Sequence, residues 1–241
     1  EIADRDWSSD VCSSDLGSEA RVINLFCGYD ERESIGWHVF VASVLDRTSA
    51  PVAIHRLDAC GLPQGTNAFT LSRFLVPWLM HFNGRAIFMD AADMLMQGDI
   101  ADLDALFDER MAVQCVQHDY KTRNPRKYIG TQMEADNRDY QRKNWASVML
   151  INCEHRLWSR IGPSYLERVH AVDMLQMTGA VSASAVGALP DCWNRLVDEG
   201  QPVDGAKVLH WTAGIPGFAH YADAPGAALW FAERDRMLET A

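Results

Sequence analysis

Apolar residues along this chain fall into two patterns. Short runs occur at 22–27, 51–57, 86–89, 111–116, 145–152 and 207–210. Runs of that length suit strands buried in a sheet. Elsewhere the spacing is helical. Trp37, Phe40, Val41, Val44 and Leu45 form one stripe, and Leu71, Phe74, Leu75, Trp78, Leu79 and Phe82 form another over 67–82. The order at the start is strand, helix, strand, which favours a parallel sheet with helices on its faces. No repeat and no linker interrupts 21–241, so a single α/β domain is expected there.

Local signals refine these elements. Asp30 precedes the first helix as an N-cap, with Glu33 at the capping-box position. Contact with a nucleobase or ribose is the alternative role for Asp30. Pro77 has no N–H to donate, so the helix over 67–82 is expected to kink or open there. A short helix is expected over 103–107. The second half is more helical: 155–170 is broken by Gly162-Pro163, 172–179 follows, and a last helix behind Pro225 turns Trp230, Phe231 and Leu238 inward. Residues 188–194 read as a turn into a buried aromatic. Between them lies a polar stretch, 118–143, carrying Lys121, Arg123, Arg126, Lys127, Arg138, Arg142 and Lys143. Such a stretch inside a compact domain reads as a phosphate clamp or lid, or as a solvated loop.

Charge and cysteines narrow the function. The chain has 241 residues and a net charge of −11, which argues against nucleic acid as the main partner. No apolar run approaches the roughly 20 residues of a membrane span. Six scattered cysteines without a C-x-x-C pair read as reduced thiols of a cytoplasmic protein, with Cys27, Cys115 and Cys153 buried. Residues 1–20 are polar, rich in Ser and Asp and aperiodic. They are expected to be a non-native, poorly ordered tail, and they lack the basic start and apolar core of a secretory signal.

Candidate chemistry centres on 84–100. The run Ala86-Ile87-Phe88-Met89 ends on Asp90 and Asp93. Open α/β sheets bind ligands beyond the carboxyl ends of their strands. Two carboxylates there can share a hard divalent cation, Mn²⁺ or Mg²⁺, that carries nucleotide phosphates. A surface turn with two solvated acids is the alternative. Arg73 lies on the helix that feeds this strand and is placed near the phosphates, or else on the solvated surface. His210 ends a short strand, and the glycines and prolines of 211–218 allow close backbone approach to a ligand.

Taken in order, several segments resemble the GT-A glycosyltransferases, and the glycogenin-like family 8 in particular. Residues 88–100, FMDAADMLMQGDI, are similar to that family's Asp-x-Asp region with its following Gly-Asp-Ile. LSRFLVPWL resembles its Ser-Arg helix, ASVMLINC its Asn-Ser-Gly-Val-Met-Leu-Ile-Asn strand, LPDCWN its Leu-Pro turn, and HWTAGIPGF its closing His motif. The resemblance implies a single Rossmann-like nucleotide-diphospho-sugar transferase domain with a mixed, mostly parallel central sheet flanked by helices. It implies a hexosyltransferase that moves sugar from a UDP-linked donor to a glycan or other hydroxyl acceptor, with retention. It assigns Asp90, Asp93 and His210 to the metal, and Tyr29, Asp30, Arg73 and Gly214 to the donor; Arg32, Lys143 and Asn144 are expected to bind the donor beside them.

Three departures stand out. Asp90-Ala91-Ala92-Asp93 is one residue longer than Asp-x-Asp; Trp145-Ala146-Ser147 replaces Asn-Ser-Gly, with Asn144 one place upstream; and the lysine of the closing motif is absent. Lys121, Arg126 or Lys143 is the expected substitute for that lysine. The departures also leave open a nucleotide-sugar-binding or partner protein of the same fold with weak turnover. A nucleotidyltransferase is disfavoured, because Gly28-Tyr29-Asp30-Glu31 is acidic where a glycine-rich phosphate loop would stand.

Overall fold

The computed structural model describes residues 21–177 and 181–239. The polar stretch 1–20, with Cys12, lies outside them, as does Gly179 at the end of the helix expected over 172–179. Among the described residues the chain runs β1 (Ile23–Gly28), α1 (Ser34–Arg47), β2 (Val52–Leu57), α2 (Val76–Leu79), β3 (Arg85–Met89), β4 (Met94–Met96) and α3 (Ile100–Asp104). It continues through β5 (Val113–Cys115), β6 (Arg126–Lys127), β7 (Ala135–Asp136), β8 (Val148–Asn152), α4 (Pro163–Leu166), α5 (Ala171–Leu175), β9 (Val186–Ala188), β10 (Arg195–Leu196), β11 (Val208–His210) and α6 (Ala227–Glu239).

The main sheet has the order β2-β1-β3-β8-β5-β9 among these residues. β1 is parallel to β2 and β3, and β9 is parallel to β5. β8 runs antiparallel to both its neighbours. The sheet is therefore mixed and mostly parallel, as expected. Successive residues alternate between its faces. Phe26, Phe88 and Met149 enter the core on one face, and Leu25, Ile87 and Leu150 enter the core on the other. Both faces are covered, which is why these strands read as unbroken apolar runs.

A second small sheet, β10-β11-β4, places His210 opposite Met94. The turn between β3 and β4 carries Asp90 and Asp93. Trp211 N–H donates to the Asp93 carbonyl at 2.9 Å. Two distant stretches of chain are thus pinned side by side.

Several expected elements differ. The helix over 67–82 is shorter: a 3-10 turn at Ser72–Leu75 runs into α2, with Pro77 in the first turn of α2. There the missing N–H costs nothing, so the chain restarts a helix at proline instead of kinking around it. His81 and Phe82 take φ of 52° and 55° and end it, leaving Trp78 and Phe82 exposed. The helix expected at 103–107 begins earlier, at Ile100, because Asp99 caps it through Ala101 N–H at 2.9 Å. In α1 the buried face is Gly36, Val39, Phe40, Ser43 and Val44, while Leu45 is exposed; in α6 Leu238 is likewise exposed. Glu33 does not close a capping box, although Asp30 does cap the short 3-10 turn Glu31–Glu33 through Arg32 N–H.

Small residues explain the face that α1 buries. Ser43 Oγ accepts the Met96 N–H at 3.0 Å. A Cβ at Gly36 would stand 2.1 Å from the carbonyl oxygen of Ala92. The helix therefore rests directly on the turn that carries the carboxylates. Gly36→Ala should cost about 1–3 kcal/mol through overpacking, more than cancelling the roughly 1 kcal/mol that alanine gains in helix propensity. The urea midpoint measures this.

Candidate metal and donor site

Asp90 and Asp93 flank a tight turn. Ala91 adopts φ 67°, and Ala92 N–H donates back to the Asp90 carbonyl at 2.8 Å. A non-glycine residue at positive φ stores strain that the surroundings must hold. Here they do: Asp90 N–H donates to Ser147 O at 2.9 Å, and α1 packs from below. The folded turn takes up the extra residue of the Asp-Ala-Ala-Asp spacing. Ligand atoms of Asp90, Asp93 and His210 all lie within 4.8 Å of one another, and all three side chains are buried. His210 Nε2 stands 3.3 Å from Asp93 Oδ2.

The donor set suits a divalent cation. Two carboxylates and an imidazole match the hard-to-borderline ligands of Mn²⁺ or Mg²⁺. Asp93 Oδ1 is buried without a hydrogen-bond partner, as a ligand atom awaiting a cation would be. Burial lifts the Asp90 pKa to about 6, against the opposing pull of Arg73. Burial lowers that of His210, but the Asp93 carboxylate outweighs it, so the imidazole stands above its ordinary value. The Asp90 shift is thus mainly one of desolvation, and the His210 shift one of a neighbouring negative charge.

Arg73 is buried beside them. Its Nη1 lies 2.6 Å from Asp90 Oδ1 and donates to Ala146 O at 2.8 Å; its Nε donates to Thr70 O at 3.1 Å. The alternative of a solvated surface arginine does not hold, since Arg73 is buried. These residues line a cavity of about 330 Å³ together with Asn67, Lys127, Tyr128, Lys143, Asn144 and Ser147.

The other expected donor residues divide. Lys143 and Asn144 line this cavity. Lys143 Nζ is held by Asn137 Oδ1 at 2.7 Å and Arg138 O at 3.0 Å. Tyr29, Asp30 and Arg32 line a neighbouring groove instead, and residues of the 64–68 segment contribute to both spaces. Asp30 is bound at 2.8 and 2.6 Å by Arg32 and at 2.9 Å by Ala68 N–H, and Arg56 covers the Tyr29 ring at 4.6 Å. Gly214 is not among the lining residues; a Cβ there would meet the Tyr221 ring at 2.4 Å. Of the expected substitutes for the missing lysine, Arg126 is spent outside the cavity on Glu134 and Asp136, and Lys121 is exposed.

Sequence reasoning passed over Lys127 as a site residue. β6 pairs antiparallel with β7, and alternation along β6 turns Arg126 to solvent and Lys127 to the cavity. Two-residue strands leave no readable period. Burial lowers the Lys127 pKa, while Asp93 raises it.

Glu33 was also misread. It is fully buried, and neither carboxylate oxygen has a hydrogen-bond partner. Burial pushes its pKa well above 4.5, with Asp93 and Asp30 adding to the effect. The folded chain then holds a proton that the unfolded chain releases. This contribution to stability is fully present below the ordinary carboxylate pKa and is lost as pH rises through the folded value. Glu33→Gln should flatten the fall in stability as pH rises from the ordinary carboxylate range to the alkaline side. It should exceed the parent by about 1–3 kcal/mol at the upper end. Denaturant titrations across that range check this.

The architecture is that of the GT-A glycosyltransferases. The galactosyltransferase LgtC, solved with donor and acceptor sugar analogs, superposes over 89% of this chain and 96% of its own at TM-score 0.63 and 15% identity. The glycosyltransferase GlyE of Streptococcus pneumoniae matches 91% of this chain at 0.60 and 14% identity. WbbM, a bifunctional glycosyltransferase, matches 89% at 0.58 and 12%. The chain spans 63% of GlyE and 52% of WbbM. No protein-family model matches the sequence. Within this fold the chain belongs to the family of Protein CDI of Arabidopsis thaliana, with 31% identity over 250 residues covering 97% of this chain and 94% of that protein. Among the described residues no helix is long and apolar enough to cross a membrane.

Proposed function

We propose that this protein is a metal-dependent glycosyltransferase that moves a hexose from a UDP-linked sugar to a hydroxyl acceptor, with retention. One observation carries the reading: Asp90, Asp93 and His210 converge on one point of a cavity that Lys127 and Lys143 also line. The structural likeness to glycosyltransferases and the sequence resemblance to family 8 support it. The five free cysteines of the described residues fit a cytoplasmic setting.

Transfer breaks the bond between the anomeric carbon and the diphosphate, and negative charge builds on the leaving phosphate. A Mn²⁺ or Mg²⁺ ion held by Asp90, Asp93 and His210 would supply Lewis-acid neutralisation of that charge. Lys127 adds a partly dehydrated ammonium, which binds phosphate oxygens more strongly than it would in water. Lys143, held by Asn137 and Arg138 and 3.8 Å from Asp139 Oδ1, adds a second ammonium to the same wall. Arg73 holds the Asp90 carboxylate in place.

Incubation with UDP-hexoses and Mn²⁺, without acceptor, tests the activity. Slow release of free hexose, abolished by chelation, is the expected result. Tight UDP binding with no hydrolysis, and no transfer to a panel of sugar acceptors, would favour a binding protein instead.

A further inference from the structure

A buried polar chain leads from the cavity wall to His210, and its donors and acceptors can be assigned link by link. Ser147 Oγ donates its single proton to the Asn144 carbonyl at 2.7 Å. With its proton placed there, Oγ accepts from Asn194, whose Nδ2 lies 2.8 Å away. That fixes the amide, so Asn194 Oδ1 faces His210 Nδ1 at 2.8 Å. An amide oxygen only accepts, so Nδ1 carries hydrogen. The neutral ring then presents its Nε2 lone pair toward Asp93. Ser147, Asn194 and His210 are each at most 1% exposed, so protein groups supply these links.

We propose that Asn194 is the positioning residue that makes His210 a metal ligand, and that Ser147 and the Asn144 backbone set Asn194. The inference rests on the metal site of the proposed function. An outer partner that fixes the tautomer of a ligating histidine typically contributes about 10–100-fold in metal affinity. Asn144 and Ser147 also line the cavity, so the wall facing the donor is wired to the ligand. Asn144 is itself held at φ 62°, its Nδ2 donating to the Tyr120 hydroxyl at 2.8 Å.

Two measurements test this. The first is Mn²⁺ affinity, read by calorimetry on the whole chain. Asn194→Leu removes the acceptor at similar volume and should weaken Mn²⁺ about 10–100-fold. Asn194→Asp keeps an oxygen for Nδ1–H and should stay within about threefold of the parent. Ser147→Ala frees the amide to flip and should fall between them.

The second is the imidazole tautomer in the metal-free protein, read by long-range ¹H–¹⁵N correlation at alkaline pH. His210→Gln identifies the signal. The expected state is Nδ1–H in the parent and Asn194→Asp, and a mixture in Ser147→Ala. An Nε2–H ring in the parent overturns the proposal, as does parental Mn²⁺ affinity in both Asn194→Leu and Ser147→Ala. A parent with the Nδ1–H tautomer but no Mn²⁺ binding would leave Asn194's hold on the ring standing and reject the metal reading.

Discussion

Asp93→Asn is expected to abolish measurable Mn²⁺-dependent binding of UDP and to lower hexose transfer about a thousandfold. The side chain keeps its size and turn. It loses the charge, and its one unpartnered buried oxygen, Oδ1, is no longer an anionic ligand. Several kcal/mol of charge stabilisation on the leaving diphosphate go with it, and each 1.4 kcal/mol is tenfold. Calorimetry with UDP, with and without Mn²⁺, gives the first number, and hexose release gives the second. Affinity unchanged by the substitution would remove Asp93 from the site. The same titration in the parent should weaken as pH falls through about 6, because burial has raised the Asp90 carboxyl to that value and a proton then competes with the cation.

Arg73→Met should be the most destabilising change at the site, by about 3–5 kcal/mol near pH 8. Arg73 is 5% exposed and is the close cationic partner of Asp90. Methionine fills much of the space but leaves a buried carboxylate without its ion pair and two carbonyls without their donor. The loss should shrink toward pH 5, where Asp90 takes a proton and no longer needs a cation. Urea melts at the two pH values separate this from simple loss of packing, which would be the same at both.

The sheet was legible because its strands are buried on both faces and so stand out as runs. The grouping of Asp90, Asp93 and His210 was legible only through the order of motifs along the chain. Asp90 and Asp93 sit three apart, but His210 is brought to them by the pairing of β11 with β4, which no local pattern encodes. What stayed hidden has physical causes. Alternation in β6 is too short to separate Lys127 from Arg126. Glu33 looks like a cap because the residue types match, yet it is fully buried and its carboxylate finds no hydrogen-bond partner. Tyr29 and Asp30 end the first strand as expected, but Arg56 and Arg32 already occupy their binding faces. Only distances make these outcomes visible.

The proposed chemistry depends on a cation held by two carboxylates and one imidazole from opposite halves of the chain. Anomalous diffraction from a crystal soaked with Mn²⁺ and UDP tests it most directly. One strong manganese peak is expected about 2.0–2.3 Å from oxygens of Asp90 and Asp93 and from His210 Nε2, with diphosphate density beside it. UDP bound in the cavity with no manganese peak between these three side chains would contradict it.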